Sequence, residues 1–156
     1  MMTLPPPPSP LQASDEEPVR SASREMLRVL LVEDLPRVQL MLRELIEEPG
    51  RFEVVGVADT EEQAVSLFDA RQPEVVVVDL NLRGGTGMGV LQRIRQRKTA
   101  VRPLLIVLTN HTLPVLRHAC EKAGADHFLD KSREFAQVRT LIEARANGSA
   151  GAPSAA

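Results

Sequence analysis

Glu74-Val75-Val76-Val77-Val78-Asp79-Leu80 is the stretch from which the fold can be read. Four consecutive β-branched residues suit extended backbone. A run without polar alternation has both faces covered, as in a parallel sheet with helices on either side; a sheet with one wet face alternates apolar with polar. Pro73 stands just before the run, and the valines end in a carboxylate, Asp79.

The same signal recurs on both sides. Apolar runs predict strands over 27–32, 52–57, 74–80, 104–108 and 125–129, spaced roughly 20 to 30 residues apart, the length of one strand plus one helix. Between them the period changes. Val38, Met41, Leu42, Leu45 and Ile46 share a helix face, as do Val65 with Phe68, Leu91 with Ile94, Leu116 with Ala119 and Cys120, and Phe135 with Val138 and Ile142. Breakers stand where these helices should stop: Pro49-Gly50, Pro73 and Gly124. The second run carries fewer apolar residues after its start, which suits an edge strand. The expected architecture is α/β, a (βα)5 doubly wound five-stranded parallel sheet with right-handed crossovers.

Composition narrows the class. Aromatics are only 3% of the chain against 43% hydrophobic residues, so the core must be aliphatic. A net charge of −2 gives no general pull toward nucleic acid or an anionic membrane. Cys120 is the single cysteine, which excludes an internal disulfide and suits a reducing compartment. No apolar run approaches the roughly 20 residues of a spanning helix, and Met1-Met2-Thr3-Leu4 lacks the pattern of a secretory signal. A cytoplasmic location is expected. Prolines at 5–8, 10 and 18 mark residues 1–24 as a disordered Pro-rich extension, 25–146 as one folded domain and 147–156 as a flexible tail.

In doubly wound sheets, sites form outside the carboxyl ends of the strands. The first strand ends in Glu33-Asp34, the third in Asp79, the fourth in Thr109 and the fifth in Lys131. If strands 1, 3, 4 and 5 are neighbours, these five side chains converge. Three close carboxylates resist ionising together unless a cation lies among them. A hard divalent ion such as Mg2+ suits oxygen ligands of this kind. Asp79 is then the natural nucleophile, with Lys131 and Thr109 suited to the oxygens of a phosphoryl group.

Val32-Glu33-Asp34, Val78-Asp79-Leu80, Leu108-Thr109 and Asp130-Lys131, in this order, resemble the receiver domains of two-component response regulators; Gly87 and Gly124-Ala125-Asp126 also match. The resemblance runs from about residue 27 to about residue 146. It implies flavodoxin-like topology with strand order 2-1-3-4-5. It also implies Asp79 as phosphoacceptor, and magnesium (or manganese) held by Glu33, Asp34, Asp79 and the backbone carbonyl of Asn81. Thr109 and Lys131 would contact the phosphoryl group, and Phe128 would be an aromatic switch moving with Thr109. The implied partners are a histidine kinase or histidine-phosphotransfer protein and a downstream target. A homodimer through the fourth helix, fifth strand and fifth helix is also implied. Such a protein is not an enzyme beyond catalysing its own phosphorylation and dephosphorylation. A stand-alone switch is expected, with output through protein contacts and without direct nucleic-acid or membrane binding; a phosphorelay intermediate and a degenerate binding module are the alternatives.

The chain departs from the family pattern at three places. Arg83 stands where proline is usual and is followed by Gly84-Gly85, which predicts a more mobile loop. Ser132 replaces the proline after the lysine, and Asn110 is larger than the usual residue after Thr109. Other residues have plainer readings. Asp34 is suited to capping the first helix with Pro36 in its first turn. Phe128 and Cys120 are suited to the core, and His118 to solvent. The basic run 93–98 suits a solvated helix C-terminus. His111 stands near enough to Thr109 to touch an attacking water. A haloacid-dehalogenase-type phosphatase would need a second Asp at Asn81, and a flavodoxin-like cofactor binder would need a phosphate loop where Glu33-Asp34 would repel one.

Overall fold

The computed structural model describes residues 26–148. The Pro-rich extension assigned to 1–24 and the tail beyond Gly148 lie outside the described residues. Five strands alternate with five helices: β1 (Leu27–Val32), α1 (Pro36–Ile46), β2 (Phe52–Ala58), α2 (Glu61–Arg71), β3 (Val75–Val78), α3 (Gly87–Arg95), β4 (Leu104–Thr109), α4 (Pro114–Lys122), β5 (His127–Asp130) and α5 (Gln137–Ala146). All strand pairs are parallel, in the order β2-β1-β3-β4-β5, with β2 at an edge as expected.

The valine run explains the two layers. Side chains alternate along a strand, so Val75 and Val77 face one way, with Leu42 and Ile46 of α1 and Val138 and Ile142 of α5. Val76 and Val78 face the other way, with Phe68 of α2, Leu91 and Ile94 of α3 and Cys120 of α4. All four valines are essentially inaccessible to solvent. Burying each stabilises by roughly 1.5–3 kcal/mol, an upper figure because the unfolded chain is itself partly compact.

Several expected boundaries move, for local reasons. The third strand is shorter than its apolar run. The fifth starts at His127 rather than Ala125, because the chain there is still closing α4: the Ala125 N–H donates to the Cys120 carbonyl at 3.0 Å. Asp126 is diverted too, its carboxylate accepting from the Leu105 N–H, Arg95 and Arg102. Met41, expected on the buried face of α1, is 44% exposed. The helix centres its buried stripe on Leu42 and Ile46, and at about 100° per residue Met41 falls on the rim.

The basic run does not present a free charged face. Arg93 reaches Glu61 and Glu62, and Arg97 grips Asp69 with both arms at 3.0 Å, so both tie the end of α3 to α2. Arg95 turns to Asp126 and the Gly124 carbonyl. The exposed Arg93–Glu62 and Arg97–Asp69 pairs contribute only about 0–1 kcal/mol each. Among the described residues no helix is long and apolar enough to cross a membrane.

Cys120 is fully buried, and burial, then the Glu121 charge, pushes its thiol up from the ordinary range. The native protein should therefore resist thiol reagents. Labelling should follow the rate of opening rather than reagent chemistry; fast stoichiometric labelling under native conditions would contradict this packing.

Candidate functional site

β1, β3, β4 and β5 are neighbours, so the carboxyl ends of these strands lie side by side. Carboxylate oxygens of Glu33, Asp34 and Asp79 all lie within 4.8 Å of one another. Glu33 and Asp79 are buried and Asp34 is half-buried. Lys131 reaches in from the end of β5, its Nζ 2.9 Å from Glu33 Oε1 and 2.8 Å from Asp79 Oδ2. The lysine is positioned by backbone pairing, since its N–H donates to the Thr109 carbonyl at 2.9 Å.

The charges adjust to this crowding. Burial pushes the Glu33 carboxyl above its ordinary value, although the Lys131 hydrogen bond and the Leu35 N–H favour its charged form. For Lys131, burial alone would lower the ammonium; hydrogen bonds to Asp79 and Glu33 outweigh it and hold the group above its usual value. One ammonium thus neutralises one of three carboxylates. The remaining negative charge and the all-oxygen donor set fit a hard divalent cation. The Asn81 carbonyl accepts no hydrogen bond among the described residues and is free to serve as a ligand.

Asp34 does not cap α1. The N-cap residue is Leu35, which makes no side-chain cap, and Pro36 opens the helix. Asp34 stands one residue too early, and it is Glu33 Oε2 that takes the Leu35 N–H, at 3.1 Å. Thr109 is fully buried at the end of β4, and its hydroxyl accepts from the His111 N–H at 3.1 Å, leaving its own hydrogen free to donate. Phe128 is buried at 5% exposure, and the Arg117 guanidinium of α4 lies over its ring, 4.9 Å from the centroid. The Lys131–Ser132 bond is trans. The Ser132 N–H and hydroxyl both donate to Asp130, which draws that carboxyl down. Asn110 is exposed.

The loop after Asp79 is tied at several points. Arg83 Nε and Nη2 each meet a carboxylate oxygen of Asp59 at 3.0 Å, and the Arg83 N–H donates to the Asp59 carbonyl. The Glu61 N–H donates to the Gly84 carbonyl, and the Glu61 carboxylate accepts from the Thr86 N–H. Asn81 Nδ2 also meets His111 Nε2 at 2.5 Å, joining the loops after β3 and β4. Asp59 and Glu61 were missed in the sequence because their partners are more than 20 residues away. The visible signal was Thr60-Glu61-Glu62-Gln63, a helix-start pattern: Thr60 caps α2 through the Gln63 N–H.

Gly87 sits against the acceptor backbone. A Cβ there would lie 2.1 Å from the Asp79 carbonyl oxygen and 2.8 Å from Leu80 Cα. Gly87→Ala should cost on the order of 3 kcal/mol, as overpacking against unyielding backbone does. An unchanged urea midpoint would contradict this approach.

Comparison with known proteins agrees with this fold. The family model described as the response regulator receiver domain matches residues 29–143. The nitrate/nitrite response regulator protein NarL of Escherichia coli (strain K12) is 28% identical over 127 residues, 81% of this chain and 58% of NarL. The response regulator UvrY of Escherichia coli O6:H1 is 31% identical over 123 residues, 79% of this chain and 56% of UvrY. The chain therefore spans little more than half the length of these relatives. A two-component response regulator of the LuxR family from Aurantimonas sp. SI85-9A1 has a solved structure with TM-score 0.70 and 32% identity, covering 79% of this chain and 86% of that one.

Proposed function

This chain belongs to the response regulator receiver domain family, and on that premise we propose that it is a phosphorylation-dependent signalling switch whose acceptor is Asp79. The observation that carries the reading is the Asp79 carboxylate itself: buried at the end of β3, within 4.8 Å of Glu33 and Asp34, and held by Lys131 at 2.8 Å. Lys131 engages Oδ2, whereas Oδ1 makes only a long 3.5 Å contact with the Asn81 N–H. Oδ1 is the freer nucleophile.

The donor would be a phosphohistidine of a histidine kinase or phosphotransfer protein. Asp79 Oδ1 forms the new O–P bond while the P–N bond breaks; the electron pair stays on the imidazole nitrogen, which takes up a proton. Lys131 and the Thr109 hydroxyl bind oxygens of the transferring group, so the protein's contribution is positioning and electrostatics. Glu33, Asp34, Asp79 and the Asn81 carbonyl would hold magnesium, or manganese in its place, whose charge offsets that of the phosphoryl oxygens. Thr109 and Phe128 would relay the change toward α4, β5 and α5. There Leu113 and Val115 are 63% and 71% exposed, a surface for a target protein or a second copy.

The test is incubation with a magnesium salt and acetyl phosphate, followed by intact-mass analysis. A gain of one phosphoryl group that chelation abolishes supports the reading, and its decay rate separates a lasting switch from a relay. Failure with acetyl phosphate and with a panel of histidine kinases would sink it.

A further inference from the structure

Asp59 follows the edge strand β2 and lies outside the acidic cluster; both arms of the Arg83 guanidinium close on its carboxylate at 3.0 Å. Among the described residues no other group is hydrogen-bonded to the tip of this arginine, whose side chain is 66% exposed. It borders an open recess of about 520 Å3 lined also by Gln39, Val57, Thr60 and Gln63. The recess extends toward the end of β1, because Gln39 on its wall donates to the Glu33 carbonyl at 2.6 Å. Asp34 follows Glu33 directly and is one of the three clustered carboxylates. Its charge already adds to the pull of Asp59 on the guanidinium.

We propose that Asp59 is a positioning residue that holds Arg83 back from Asp34 and thereby keeps the carboxylate cluster open to a divalent cation. The inference rests on reading Glu33, Asp34 and Asp79 as a cation site. A guanidinium released from Asp59 still feels Asp34, the member of the carboxylate cluster that Lys131 does not pair, since Lys131 takes Glu33 and Asp79. A cation and an arginine then compete for the same oxygen charge. Even while paired, Arg83 repels an incoming divalent ion, though partly screened.

The experiment measures manganese binding, by the loss of free-ion electron paramagnetic resonance signal, and magnesium binding by competition. It uses the unphosphorylated full chain, wild type, Asp59→Asn, Arg83→Ala and the double variant. Asp59→Asn should weaken binding about fivefold, whereas Arg83→Ala should tighten it about twofold to threefold, as expected for one charge across partly solvated space. The double variant should bind like Arg83→Ala, a rescue that damage to the loop would not give. Weak binding that persists in the double variant overturns the proposal, as does an unchanged affinity in either single variant. If the wild type itself binds no manganese, the reading of the carboxylate cluster fails first, which a separate change in the variants cannot mimic.

Discussion

Asp79→Ala abolishes the magnesium-dependent gain of one phosphoryl group, with no detectable product by intact mass at a donor concentration that labels the wild type fully. The expectation follows from chemistry and place. An acyl phosphate needs a carboxylate oxygen as nucleophile, and Asp79 is the one that ends the central strand of the sheet. Asp79→Asn gives the same result while keeping the side-chain shape and an oxygen for Lys131, so loss in both variants separates chemistry from damage. Glu33 is an unsuitable substitute, since Lys131 and the Leu35 N–H occupy its two oxygens. A phosphoryl group recovered on either variant would move the acceptor to Asp34 and overturn the assignment.

Lys131→Met has the second large effect, and it is on stability as well as on labelling. Lys131 is 10% exposed and bridges two carboxylates that are 2% and 8% exposed. Removing the ammonium leaves like charges buried without a counter-ion, which typically costs about 3–5 kcal/mol. The cost depends on pH with a definite sign. Burial already holds Glu33 above its ordinary value in the folded protein, and loss of Lys131 removes an interaction that pulls it down. A carboxyl whose folded value is raised destabilises the fold once pH exceeds its unfolded value. The deficit of the variant against wild type should therefore be largest at neutral pH and above and shrink on acidification, as Glu33 takes up a proton. Urea unfolding in chelator at several pH values measures it. Magnesium should restore part of the loss, because a divalent ion replaces the missing charge. A deficit that grows on acidification would contradict this account.

The sheet was legible because its information is local. Val75–Val78 announces a strand covered on both faces, whereas the strand order that brings the carboxyl-end residues together came from the resemblance to receiver domains. Cys120 was placed in the core by the period of its helix and Phe128 as an aromatic on a strand, and both are there. Met41 was misplaced because a helical pattern fixes which residues share a face but not where its centre points. The fifth strand was predicted two residues early because Ala125 looks apolar, whereas its backbone is closing α4. The ties of the loop after Asp79 to Asp59 and Glu61 went unread, because a pairing of distant groups leaves no periodic trace in a single sequence. The same holds for the arginines of the 93–98 run, whose partners on α2 and before β5 only the fold brings near.

Glu61 carries a further consequence. Its carboxylate fills the space that a side chain at Gly89 would need, 2.4 Å from an added Cβ, and its own Cβ lies equally close to one at Gly85. At Gly89 the obstacle is the end of a side chain tethered to the Thr86 N–H and Arg93. At Gly85 the backbone φ of 75° is a second obstacle. The three positions therefore constrain the order in which descendants of this sequence can change. Growth at position 89 displaces the Glu61 carboxylate from Thr86 and Arg93 unless position 61 shortens first, whereas position 85 stays closed to most residues whatever happens at 61. In a mutational scan of a Glu61→Ser background, alanine at 89 should become tolerated and alanine at 85 should not.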